Sequence, residues 1–141
     1  MFQAANQLLD KLRVTKKLTY DGIFGHENVK SQLHTANDTM AEGDSGLVHK
    51  CGTDAVVFTL PATVVGYTYT FMNVAEDGTA AISISPGAVD KIMGAGLTSE
   101  DNKDLINTKS TAKKGDFVTL VGDGVNGWFV TAMAGTWARE A

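Results

Sequence analysis

The chain has 141 residues, 12 of them basic and 16 acidic, for a formal net charge of −4. At this length it can bury one real core, and 43% hydrophobic with 20% charged residues excludes wholesale disorder. The acidic balance argues against holding nucleic-acid backbones, and no apolar run reaches the roughly 18 residues of a membrane span.

Residues 1–17 carry Phe2, Ala5, Leu9 and Leu12 at i, i+3, i+7 and i+10, one stripe of a short helix. Lys11, Arg13, Lys16 and Lys17 crowd its C-terminal end, where cations suit the helix dipole. An extended arm that contains leucines fits the same residues. Charges at Asp10 and Lys11 interrupt any signal-peptide run, so a soluble protein made in a cytoplasm is expected. Residues 18–50 show scattered apolar residues without a sustained period and read as irregular arm with one short strand. The expected division is an N-terminal arm over residues 1–52 and a β-domain over 53–141.

From Ala55 onward the pattern has period two. Val56, Phe58 and Leu60 share one face, and Pro61 ends that ladder because it lacks an N–H. Tyr67, Tyr69 and Phe71 alternate with Thr68 and Thr70, and Ile82 and Ile84 alternate with Ser83 and Ser85. Asp77-Gly78 between these two strands predicts a hairpin. Asp90–Leu97 reads as a short strand or extended turn. Residues 98–109 read as a helical turn opened by Thr98 or Ser99, or as a polar loop displaying Leu105 and Ile106. Residues 116–121 and 127–133 form a second hairpin pair, and residues 136–139 a last short strand. Fifteen glycines, two prolines and five to seven short strands predict an all-β fold, an antiparallel β-sandwich or barrel-like domain.

Candidate chemistry is sparse. Gly122, Gly124 and Gly127 fit the spacing G-x-G-x-x-G of a dinucleotide loop. That loop needs a helix behind it, and here Trp128-Phe129-Val130-Thr131 follows, so the glycines read as the tip of a hairpin. Asp123 and Asn126 lack the alternating ligands of a calcium loop. His26, His34 and His49 read as surface or arm residues. His49 and Cys51 form H-x-C, without a second pair at zinc spacing. Cys51 has no intrachain partner and reads as a small buried hydrophobe. Glu100, Asp101 and Asp104, like Lys109, Lys113 and Lys114, read as solvated faces. Trp128, Phe129 and Trp137 read as core or interface packing before a sugar platform. No catalytic residue, cofactor or metal is assigned.

From Val57 to Glu140 the chain resembles a family of tailed-bacteriophage virion proteins. The matching stretches are FTLPATVVGYTYTFMNVAEDGTAAISISPGAVDKIMGAG, DNKDLINTKSTAKKGDFVTLVGDGVNGWFV and GTWARE. The phrase LP, G-x-TYTF-x-NV, a strand ending in SP, then GD-x-VTLV-x-DG-x-x-GW is similar to small β-domains of phage head and fibre proteins. As a short single-copy chain it most resembles a capsid decoration, or cement, protein. That resemblance implies a virion protein on the capsid surface, a homotrimer that binds the major capsid protein and carries no catalytic residues. Phe2, Leu8, Leu9 and Leu12 are then the expected capsid or neighbour contacts. A fibre module that stacks a cell-surface glycan on Trp128 or Tyr67 is the alternative.

Overall fold

A computed structural model describes residues 30–141, which form an all-β unit built from two sheets. The residue stripe of 1–17 and the contacts expected at Phe2, Leu8, Leu9 and Leu12 lie outside the described residues, as does His26. Among the described residues eleven strands occur in the order β1 (Ser31–His34), β2 (Asp38–Thr39), β3 (Val48–Cys51), β4 (Val56–Thr59), β5 (Thr68–Asn73), β6 (Ile82–Ser85), β7 (Lys91–Met93), β8 (Leu105–Asn107), β9 (Phe117–Gly122), β10 (Gly127–Ala134) and β11 (Trp137–Arg139). One sheet has the order β1-β3-β5-β9-β10-β7, and the other β11-β8-β6-β4-β2. Among the described residues no helix is long and apolar enough to cross a membrane.

The period-two stretches become strands whose alternate side chains meet in one core. Tyr69 and Phe71 of β5, Val118 and Leu120 of β9 and Trp128 of β10 face inward from the first sheet. Val56 and Phe58 of β4, Ile82 and Ile84 of β6 and Leu105 of β8 face them from the second. Phe58 and Phe71 close the gap between sheets with ring centroids 4.9 Å apart, and Tyr69 and Trp128 lie 5.4 Å apart. Full burial of side chains of this size contributes about 1.5–3 kcal/mol each before the ordering cost is subtracted. All four edge strands are short, four residues in β1 and two or three in β2, β7 and β11, which limits pairing with foreign chains.

The structure departs from the expected pattern in four places. Residues 31–51 are not arm: β1 and β3 join the first sheet and β2 the second. The inward positions of β1 and β3 are His34, His49 and Cys51 rather than aliphatic residues, and these strands are held by parallel neighbours rather than by a local turn. The sheets are mixed rather than antiparallel, since β1–β3, β3–β5, β10–β7, β2–β4 and β4–β6 all pair parallel. The Asp77-Gly78 turn does not close a hairpin. It carries the chain from β5 in one sheet to β6 in the other. Residues 105–107 are a strand, with Leu105 buried, rather than a helical turn or displayed loop.

That crossing is fixed by buried polar groups. Asn73, at the end of β5, donates to Ala80 O at 3.0 Å and to Asn107 Oδ1 at 2.8 Å, and its own Oδ1 accepts from Ala75 N at 3.0 Å. Asn107, at the end of β8, donates to Asp116 Oδ2 and to Thr136 O, each at 2.9 Å. Asp116 Oδ2 also accepts from Lys113 N at 2.9 Å. Both carboxamides thus use every donor they have. Replacing Asn107 by Ala strands the Asn73 amide and the Thr136 carbonyl in the interior, at about 1–3 kcal/mol for each unpaired group. Asn107→Ala is therefore expected to lower the unfolding free energy by about 2–4 kcal/mol in urea titrations.

Candidate functional site

Strand polarity sends the loops to two ends with opposite chemistry. At one end lie the residues before β4, the β5–β6 crossing and the β8–β9 loop. Here Lys109 pairs with Asp54 at 2.5 Å, Lys113 with Asp77 at 3.1 Å and Lys114 with Glu76 at 2.5 Å. The lysines hold Asp54 and Asp77 below the usual carboxylate range, together with backbone N–H groups that bond to each; for Asp77 the Lys114 N–H is the larger cause. The three lysines expected as a solvated basic face are thus matched by carboxylates across loops. Exposed pairs of this kind contribute little stability each. Of the acidic cluster, Glu100 meets the Arg139 guanidinium and Asp101 lies 3.6 Å from Lys91 Nζ.

The opposite end gathers three loops: residues 61–66 between β4 and β5, 86–90 between β6 and β7, and 123–126 between β9 and β10. Hydrogen bonds lock them together. Thr63 N donates to Asp90 Oδ2 at 3.0 Å, Thr63 Oγ1 donates to Gly127 O at 2.5 Å, and Gly124 N donates to Thr63 Oγ1 at 3.1 Å. Gly66 N reaches Gly122 O at 3.1 Å, and Lys91 N reaches Asn126 O at 3.0 Å. These loops present Val64, Val65, Val89 and Val125, of which the last three are at least 75% exposed. The four exposed aliphatic side chains thus stand on three loops that are joined to one another. The sequence held a signal for it in Val64-Val65 after Pro61, but nothing local announced that residues 89 and 125 would join them.

The glycine motif lies at the heart of this end. It is a turn between β9 and β10, which pair antiparallel with a bulge between Val130 and Ala132. Asp123 Oδ1 accepts from the N–H groups of Val125 and Asn126, each at 2.8 Å, and of Gly127 at 2.9 Å. Those bonds hold the Asp123 carboxylate below its ordinary value, Val125 contributing most. The N–H groups that would cradle a phosphate in a nucleotide loop are already taken by a side chain, and a strand rather than a helix follows. Gly127 has φ +142°, and a Cβ there would overlap the Lys91 backbone of the neighbouring β7. The spacing serves a tight turn and close strand approach.

The other candidate residues are placed as follows. Trp128 is fully buried in the core, and its Nε1 has no hydrogen-bond partner among the described residues. Trp137 is buried and donates to Ala134 O at 3.0 Å, while Phe129 is about half exposed on the outer face of β10. Tyr67 is half-buried. Cys51 is fully buried, its thiol pushed up by burial. His34 and His49 are not surface residues: both are buried, and nothing in the sequence signals it because the inward positions of β1 and β3 are His34, His49 and Cys51 while Leu33 faces out. Among the described residues no three His, Cys, Asp or Glu side chains are grouped as metal ligands. No protein-family model matches the chain, and no curated protein matches it.

Gly127→Ala tests the turn. The added methyl meets the N, C and O atoms of the Lys91 backbone, which cannot rotate away, so a loss of about 3 kcal/mol or more in urea-monitored stability is expected. Asp123→Asn tests the electrostatics. The folded Asp123 carboxylate is held below its unfolded value of 3.8, so it stabilises the fold above that pH and loses this as pH falls through the folded value. Acid unfolding of Asp123→Asn is accordingly expected to show a shallower dependence on pH below about 4 than the parent chain.

Proposed function

We propose that this chain is a structural virion protein of the decoration, or cement, type, which binds the outside of a tailed-phage capsid and clamps neighbouring capsomers. The observation that carries the reading is the valine-bearing end: Val64, Val65, Val89 and Val125 stand exposed on three loops that hydrogen bonds hold together. A rigid apolar surface pays little ordering cost on binding, so burial against a shell is converted efficiently into affinity. The family-like phrases fall on the strands and turns that build this end, Leu60-Pro61 before it and Gly122 to Trp128 within it. Two sheets that share one core support the sandwich form of the domain.

On this reading the partner is the major capsid protein, the protein assembles as a homotrimer on the virion surface, and residues 1–17 add a second contact through Phe2, Leu8, Leu9 and Leu12. Many modest seams summed over a shell resist internal pressure that one seam would not. Of the two aromatics the fibre alternative calls on, Trp128 is enclosed by the core and offers no face to a sugar, while Tyr67 is half-buried.

The test is reconstitution on expanded, undecorated capsids of the parent phage. The wild-type chain is expected to load in hundreds of copies per shell, and loading in only a few would favour a fibre. The double variant Val65→Asp, Val125→Asp, both at exposed sites, is expected to bind at least about tenfold more weakly with an unchanged melting temperature, a loss of about 1.4 kcal/mol or more. Equal loading by that variant overturns the assignment of this end to the capsid.

A further inference from the structure

The segment from β1 to β2 runs from the edge of one sheet to the edge of the other, so Ser31–Thr39 closes one side of the core. A chain of side chains fastens it. Asp38 Oδ2 lies 3.0 Å from His34 Nδ1, His34 Nε2 lies 3.1 Å from His49 Nδ1, and His49 Nε2 lies 3.0 Å from Asp44 O. His34 is 6% and His49 0% exposed, so water does not stand in for any missing partner between the rings. The protons can be counted. The Asp44 carbonyl can only accept, so His49 Nε2 carries a hydrogen. The ionised Asp38 carboxylate can only accept, so His34 Nδ1 carries another. Between the rings one nitrogen must donate, because two facing lone pairs would repel at that distance. Two neutral imidazoles supply two hydrogens, and the chain of contacts needs three.

We infer that Asp38, His34 and His49 form a one-proton clasp, in which the two imidazoles share a single positive charge opposite Asp38, and that uptake of a second proton releases Ser31–Thr39. A second proton puts N–H against N–H between the rings and two like charges 3.1 Å apart. The surroundings oppose it. Phe58 stands edge-on to His34 with centroids 5.0 Å apart, and Phe71 lies 5.5 Å from the His49 ring. The charged and titratable neighbours are few. Asp38 is 43% exposed, and the Asp44 carboxylate is engaged by Ala41 N at 2.9 Å. The Tyr69 phenol donates to Ala41 O and is pushed up to about 12 by burial, so it stays neutral. Cys51, the register partner of His34, keeps its proton on a thiol directed at Thr53 O.

The sign follows from burial, which lowers the His49 value below its ordinary 6.5 despite the pull of the Asp44 carbonyl. The opened segment therefore binds more protons than the closed one between that value and the lower folded one. Near 6.5 the two opened imidazoles hold about one proton between them, as the clasp does, so closure is strongest there; it weakens as pH falls through this window, and also as pH rises and the shared proton is lost.

The test uses the full chain. Imidazole ¹⁵N spectra at about pH 7.5 are expected to show three N–H among the four ring nitrogens of His34 and His49. Amide exchange at His34 and Thr39, corrected for intrinsic rates, is expected to report an opening constant that rises up to about tenfold per pH unit from about pH 6.5 to 5.5. Core amides of β5 and β9 should not follow that slope. In His49→Gln the slope should vanish. Because that variant could fail to fold, the wild-type measurements decide: only two ring N–H across the pair, or opening that is flat with pH, overturns the clasp.

Discussion

The hydrogen-bonded triad of Asn73, Asn107 and Asp116 is the constraint on which the rest of this fold hangs. It joins the ends of a strand in each sheet at the place where the chain leaves one sheet for the other. Asn73 also receives Gly115 N on its carbonyl at 2.7 Å and gives its own N–H to Asp116 O at 2.8 Å, so the start of β9 is set against the end of β5. Thr136 O binds Asn107, which ties the β10–β11 turn to the same point, and a Cβ on Gly135 in that turn would overlap the Asp116 carboxylate. A polar group in a low-dielectric interior is costly unless all its partners are present. The network therefore admits one arrangement of these strands and penalises the near alternatives, where hydrophobic contacts alone would tolerate a slip.

With that corner fixed, strand direction decides what each end of the domain shows. Sequence-distant loops meet because β4 and β6 run parallel while β5 and β9 run antiparallel. Lysines of the β8–β9 loop meet carboxylates before β4 and on the crossing between the sheets. At the far end the loops carry valines and are joined through hydrogen bonds of Thr63 and Asp90, with Asp123 closing its own turn. Polar groups already bonded to one another within such a tip are not stranded when a partner covers it, a condition a good interface needs.

How much of this was legible follows from how each element is held. β4, β5, β6, β9 and β10 are half-buried strands whose alternation is written in the chain, as in Tyr69, Phe71 against Thr68, Thr70. The turn at Gly122–Gly127 was legible too, because Asp and Gly have local reasons to be there. Partner choice was not. Asp77-Gly78 is the right chemistry for a tight turn, but a tight turn does not say whether the next strand joins the same sheet. Parallel neighbours such as β3 and β5 have no connecting turn to encode their pairing, so β1 to β3 read as arm. Leu105-Ile106-Asn107 sat between polar runs and was too short to show a period. The valines and the histidine pair are tertiary features, assembled from residues up to dozens of positions apart.

The two buried polar networks differ in a way that divides the molecule's behaviour. The carboxamides of Asn73 and Asn107 cannot titrate, so the link between the sheets does not depend on a proton they hold. The fastening at β1 and β2 is made of imidazoles, whose ordinary range lies near neutral pH. It also sits on edge strands of four and two residues, where opening exposes little of the core. The imidazole pair thus sits at the margin, while carboxamides hold the centre with Asp116 as their carboxylate acceptor. Such a division lets the segment that joins the domain to residues 1–29 respond to its surroundings while the two sheets keep their register.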